Sequence, residues 1–194
     1  MVGVAKEQAK AIVDLANTLD QIITPEDVLV GITTDGVPIA RGLEHVIFKY
    51  IGKICRVEYI GASSKFNFVD THKLKLLKEM SGRRIYVDWR TVTGKLGEML
   101  KEKDNESLYA VLSDPNNKAD IRATTEDVAK FDFPKDYEQT MKIIGLWTEP
   151  HTVAGLLKLK TFGGKIEYKE ISTEQSKSFY GALYSSMAII LKAK

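Results

Sequence analysis

The residues from Ile85 to Leu96 (Ile-Tyr-Val-Asp-Trp-Arg-Thr-Val-Thr-Gly-Lys-Leu) carry more usable chemistry than any other segment of the chain. The segment begins as a short apolar strand and runs into the carboxylate of Asp88. Small residues follow, and good helix formers then continue from Lys95 to Lys103. A strand that passes into a helix through Thr93-Gly94 aims backbone N–H groups and a hydroxyl at the positive end of the helix dipole. That arrangement holds a phosphate. A second loop of this kind, Thr33-Thr34-Asp35-Gly36, follows the apolar run over 28–32 and opens another helical stretch. One such turn is ordinary; two, each between an apolar strand and a helix, are far more specific.

Other chemistry is thinner. Gly61-Ala62-Ser63-Ser64-Lys65-Phe66-Asn67-Phe68 collects small, polar and basic residues around Lys65. Trp147 stands at the end of an apolar run, where an aromatic face stacks on a base or closes the edge of a core. His45, His72 and His151 are far apart in sequence and lack partners at metal-ligand spacing, which argues against zinc. Neither a Gly-x-Ser-x-Gly elbow nor a Walker lysine motif is present. The alternating basic and apolar residues from Lys73 to Lys78 read as a solvated helix face rather than a nucleic-acid patch.

These loops need a frame, and the frame alternates. Apolar residues at Ala9, Ile12, Val13, Leu15, Ala16, Leu19 and Ile23 have helical spacing. Apolar-rich runs of strand length occur at 28–32, where the run is continuous, and at 54–60, 84–88, 107–112 and 142–147. Runs of that kind suit strands buried on both faces. Helical spacing resumes over 37–50, and an amphipathic helix closes the chain over 173–192 with Phe179, Leu183, Met187 and Ile190 on its stripe. Strands alternating with helices predict a doubly wound, mostly parallel α/β sheet. Ligands bind such sheets beyond the carboxyl ends of the strands, where the strand order reverses. The polar segment over 114–137 fits no element by pattern.

The composition sets limits. A chain of 194 residues suits one domain, and 28 basic against 26 acidic side chains leave a formal charge of +2, too small to argue for nucleic acid. Cys55 is the only cysteine, so intramolecular disulfides are excluded and a reducing, cytoplasmic setting is expected. It lies in an apolar run and reads as a buried, inert thiol. No apolar run approaches 18 residues, so no membrane span is expected.

The stretch from Val28 to about Trp147 resembles the core of the class I phosphoribosyltransferases, and Ile85 to Leu96 resembles their phosphoribosyl-diphosphate (PRPP) signature. The matching features are the apolar run, the first acid at Asp88 and the pair Thr93-Gly94. The chain departs at Trp89, where a second acid is expected, at Val92, where the family usually has Asp, and at Leu96, where Thr or Ser is common. The resemblance implies a type I phosphoribosyltransferase-like domain over 1–194, with a core of about 25–150 and a small hood and helix over about 151–194. It implies transfer of ribose 5-phosphate from PRPP to a nucleobase, with Mg²⁺ and in a homodimer.

In that reading Asp88 holds the ribose and the metal. Arg90, Thr91, Val92, Thr93, Gly94 and Lys95 bind the 5-phosphate, and Thr33, Thr34, Asp35 and Gly36 bind pyrophosphate. Lys65 sits on a lid over the diphosphate or, alternatively, on a surface hairpin. Trp89 and Trp147 border the base. Phosphate binding depends on backbone N–H groups that survive here. Catalysis depends on acids that are partly lost, so a non-catalytic PRPP- or nucleotide-binding regulator is the alternative.

Overall fold

The computed structural model describes residues 2–33, 36–64, 67–126 and 173–192. Helix α1 (Val2–Asp20) leads into strand β1 (Val28–Thr33) and helix α2 (Gly36–Val46), which ends in a π-helical turn (Ile47–Ile51). Strand β2 (Arg56–Ser63), the short β3 (Phe68–Val69) and helix α3 (Thr71–Glu79) follow. Then come β4 (Arg84–Arg90), α4 (Lys95–Lys103), β5 (Leu108–Ser113), β6 (Ile121–Thr124) and the closing helix α5 (Thr173–Lys192).

The six strands form one sheet in the order β3-β2-β1-β4-β5-β6. All neighbours are parallel except β2 and β3, which form an antiparallel edge. The expected doubly wound, mostly parallel α/β architecture is therefore present.

Side-chain alternation along the strands builds two cores. On one face Leu29, Ile85, Val87, Ala110 and Leu112 pack with α1, α2 and α5, through residues such as Ile12, Leu19, Leu43 and Met187. On the other, Val28, Val30, Ile32, Ile60, Tyr86 and Val111 pack with Leu74 and Leu77 of α3 and Met99 and Leu100 of α4. The chain leaves β1 through α2 toward β2 and leaves β4 through α4 toward β5, in opposite directions across the sheet. Right-handed crossovers then require the two helices to lie on opposite faces. The strand order reverses between β1 and β4.

Several boundaries differ from the sequence expectation. The helix over 37–50 divides into α2 and the π-helical turn, which stops at Gly52 (φ 81°), whose N–H caps the Ile47 carbonyl. Strand β2 starts at Arg56 instead of residue 54, and Ile54 is left exposed. β6 emerges from the polar segment that showed no pattern. The strand expected over 142–147 lies outside the described residues, as does the part of the hood region over 151–172. Cys55 is buried, and that burial pushes its thiol up to about 11, in keeping with an inert side chain.

The amino-terminal ends of β1 and β4 are held by charge. Arg84 Nε donates to Asp104 Oδ2 at 2.9 Å and its Nη2 to Oδ1 at 2.5 Å, while Tyr86 Oη donates to Oδ2 at 3.0 Å. Asp104 is fully buried and caps the end of α4. Nearby, Asp27 accepts from the Arg83 backbone at 3.0 Å and the Arg83 guanidinium at 2.9 Å, joining the start of β1 to that of β4. Burial pushes both carboxyls up, but the arginine hydrogen bonds and charges outweigh it and hold them below the ordinary carboxylate value.

Two predictions follow from these contacts. A Cβ on Gly36 would lie 2.0 Å from the Val87 carbonyl oxygen, a backbone atom that cannot rotate away. Gly36→Ala should therefore lower the unfolding free energy by about 3 kcal/mol, read as a lower urea midpoint. An unchanged midpoint would contradict the close approach. For the buried pair, a depressed folded pKa means that stability is fully present above the unfolded value near 4 and is lost as pH falls through the folded value. Asp104→Asn should cost about 3–5 kcal/mol at pH 7, because it leaves Arg84 buried without its counter-charge. Urea titrations of parent and variant should converge as pH falls below the ordinary carboxylate range and through the depressed folded value of Asp104; a gap that stays constant with pH would contradict the charge argument.

Candidate functional site

Both phosphate-type loops lie at the carboxyl ends of adjacent strands, β1 and β4, where the strand order reverses. Thr33 is the last residue of β1, in register with Gly61. Thr34 and Asp35 lie outside the described residues, and Gly36 opens α2 against the backbone of β4.

Alternation along β4 distributes its last side chains. Asp88 and Arg90 follow Tyr86 on the α3/α4 face, while Trp89 follows Val87 and packs, half-buried, against the α1/α2/α5 core. Trp89 therefore stands on the opposite side of the strand from Asp88. The Asp88 carboxylate is half-buried and fixed. Its Oδ1 accepts the Trp89 N–H at 2.8 Å, and its Oδ2 accepts the Tyr109 hydroxyl at 3.3 Å.

The turn after β4 is closely tied to its surroundings. The Thr91 N–H donates to the Ser113 carbonyl at 3.0 Å, and its buried Oγ1 accepts from Gly94 N–H at 3.2 Å. Val92 is exposed at the tip, with its carbonyl accepting from Asn116 Nδ2 at 2.8 Å. Thr93 Oγ1 accepts from Lys95 N–H at 3.4 Å, at the start of α4. Gly94 adopts φ 76°, the left-handed conformation that suits glycine, and a Cβ there would lie 2.9 Å from Lys118 Cβ. Lys95 and Lys118, both exposed, bring positive charge to this helix N-terminus.

Four residues here were not singled out in the sequence, and all come from β5 or the turn after it. Tyr109 is buried beneath Asp88 and Thr91. Burial and the Asp88 charge push its hydroxyl well above the ordinary value, while a hydrogen bond from Thr91 works the other way, so it remains a protonated donor. Asp114 is fully buried, and its Oδ2 accepts the N–H groups of Lys118 (2.6 Å) and Ala119 (2.7 Å), which shapes the turn. Its Oδ1 has no hydrogen-bond partner among the described residues. Asn116 and Lys118 then reach the Val92–Gly94 backbone. The run Ser113-Asp114-Pro115-Asn116 after an apolar strand was the available signal, since it repeats the pattern of Asp88.

Lys65 and Trp147 lie outside the described residues. The residues flanking Lys65 pair as a tight antiparallel hairpin, Ala62 with Val69 and Ser63 with Phe68. Two concavities, of about 500 Å³ beside β6 and about 450 Å³ between α2 and α5, are lined by no described residue of either loop. No group of three or more His, Cys, Asp or Glu among the described residues could hold a metal ion. Asp88 fits Mg²⁺ only as a single oxygen ligand, with phosphate and water oxygens completing the shell. No helix among the described residues is long and apolar enough to cross a membrane.

No protein-family model matches the chain, and no curated protein does. Some solved structures resemble it. The xanthine-guanine-hypoxanthine phosphoribosyltransferase of Helicobacter pylori is 19% identical, with 58% of this chain and 78% of that one covered at a TM-score of 0.40. An alanine mutant made to analyse an invariant aspartic acid in HPRTs is 13% identical, with 61% of this chain and 76% of that one covered at a TM-score of 0.42.

The left-handed Gly94 gives a direct test of the turn. Gly94→Ala should destabilise the protein by about 1–2 kcal/mol through backbone strain and the contact with Lys118. Amide shifts in the variant should concentrate at 91–95 and 116–119; an unchanged stability with no local shifts would contradict this geometry.

Proposed function

We propose that the chain binds PRPP, or a nucleotide sharing its 5-phosphate, across the reversal point between β1 and β4. One observation carries this reading. The Thr91–Gly94 turn opens α4 at the reversal point, and the same strand ends in a carboxylate fixed by Tyr109. The 5-phosphate sits at the start of α4, taking over the Lys95 N–H that Thr93 Oγ1 holds in the free protein, with Thr93 and the Lys95 and Lys118 ammonium groups around it. The Thr33–Gly36 loop faces the diphosphate, and Asp88 holds the ribose hydroxyls and contributes one oxygen to Mg²⁺. When bound, Mg²⁺ offsets charge on the departing diphosphate. In the enzymatic form of this reading, ribose 5-phosphate passes to a nucleobase.

A second reading, a non-catalytic PRPP or nucleotide sensor, is favoured by two positions. Val92 is exposed at the loop tip and has no proton to give or take, and Trp89 packs toward the core, where an acid would have faced away from Asp88. Both readings require the phosphate loop, and they separate at turnover.

Calorimetric titration with PRPP, with and without Mg²⁺, tests the common core. Binding is expected in the parent and should weaken about tenfold in Thr93→Ala, the loss of one hydrogen bond near a charged ligand. No heat with PRPP or any nucleoside monophosphate would overturn the proposal. Turnover with a panel of bases, abolished in Asp88→Asn, would establish the enzyme; tight binding without turnover would establish the sensor.

A further inference from the structure

The concavity between α2 and α5 is built from residues that the candidate site does not use. Arg41, Glu44 and His45 of α2 and Tyr184 of α5 line it, together with Phe48 of the π-helical turn and with Ile54 and Cys55 just before β2. It therefore lies by the amino-terminal end of β2, at the other end of the sheet from the two loops. Its volume of about 450 Å³ is that of a small-molecule site. Phe48 and Ile54 are 63% and 66% exposed. A lone exposed apolar side chain is ordinary, but two that line one aromatic concavity form a surface suited to being covered.

The polar groups of the lining are held in place. Arg41 Nη1 donates to Glu44 Oε2 at 2.8 Å, and the guanidinium carbon lies 5.5 Å from the centroid of the Tyr59 ring. The His45 ring packs edge-on with Tyr184, centroids 4.9 Å apart, and with Tyr50 at 5.9 Å. The only cation and the only anion of the lining are thus already paired. Burial and the Lys49 charge hold His45 below its ordinary value against the pull of Glu44, and burial pushes Tyr184 up, so both are uncharged at neutral pH. The Cys55 thiol, at about 11, is uncharged as well. A charged ligand would shed water here without finding an unpaired counter-charge. Arg41 has further N–H donors and Glu44 a second carboxylate oxygen, so side by side they match a group that both accepts and donates.

We propose that this concavity is a second small-molecule site, which takes an uncharged planar heteroaromatic ring system bearing a lactam-type –NH–C=O edge. The rings cover Phe48 and Ile54 and rest against Tyr184 and His45, and the lactam edge meets Arg41 and Glu44. The site stands independently of PRPP binding at the reversal point, because it shares no lining residue with either loop.

The probe is 2-quinolone, a neutral two-ring lactam, titrated into the isotope-labelled full chain and followed by NMR. Saturable amide shifts are expected over residues 41–55 and at Tyr184, with a Kd of about 1 mM or tighter for a ligand of this size. Phe48→Ser and Ile54→Ser each remove a largely exposed side chain, so Tm should hardly move while binding weakens about fivefold or more. Quinoline-2-carboxylate and N-methylquinolinium, an anion and a cation of similar shape, should each bind about tenfold more weakly or worse. The proposal is overturned if 2-quinolone gives no saturable shift, or if its shifts fall at the two loops instead. It is equally overturned if both serine variants bind as the parent does, or if either charged analogue binds as tightly as the neutral lactam.

Discussion

The structure depends on how closely α2 begins against the backbone of β4. Gly36 sits where any Cβ would strike the Val87 carbonyl oxygen, so β1 turns into α2 directly over the neighbouring strand. That contact fixes the end of β1 beside the end of β4. The next helices then depart to opposite faces, α2 with one core and α4 with the other, and the two strand ends are left open between them. A bulkier residue would lift α2 off the sheet and part the two loops that could grip one ligand. The candidate site follows from this packing constraint more than from any single reactive group.

The two ends of the sheet are built differently. At the amino-terminal end, Arg84 and Asp104 are buried with their hydrogen bonds satisfied, and Asp27 is enclosed by Arg83. Such pairs contribute little net stability over an apolar core, yet breaking one is expensive, so they enforce a unique register at the strand starts. At the carboxyl end Thr91, Ser113 and Asp114 are buried, but Asp88, Trp89 and Arg90 are half-buried and Val92, Thr93 and Lys95 exposed, and hydrogen bonds run mainly between loops and neighbouring turns.

Much of this frame was legible in the sequence for physical reasons. β1, β4 and β5 are buried on both faces over most of their length, so they appear as runs of apolar residues (28–32, 85–87 and 108–112), and the two loops appear as small-residue breaks between such runs and helices. The side of β4 on which Trp89 lies was legible in principle, since alternation places it opposite Asp88. Other parts carried no local signal. β6 (Ile-Arg-Ala-Thr) is a short edge strand with one buried side chain, so neither periodicity nor burial marks it. Tyr109 reads as one more apolar residue of β5, and only the parallel pairing of β4 with β5 brings its hydroxyl to Asp88. Asn116 and Lys118 reach the Gly94 turn through a loop whose shape is set by Asp114, and such tertiary contacts leave no trace in spacing.

The arrangement of acids bears on what kind of ligand the site suits. Asp114 cannot stand in for a second acid beside Asp88, because it is fully buried and its Oδ2 is committed to two backbone N–H groups. Trp89 occupies the next position on the opposite face. A single carboxylate with one oxygen on Tyr109 and the other on a backbone N–H is too poor a donor set to gather a hard divalent cation from water. Such an ion is retained only when the ligand brings most of its shell. On the proposed reading, that condition selects ligands carrying two adjacent phosphates over monophosphates whenever Mg²⁺ is present. The phosphate turn at α4 needs no metal and accepts either kind. Selectivity between them then resides at the Asp88 end of the site and not in the turn itself.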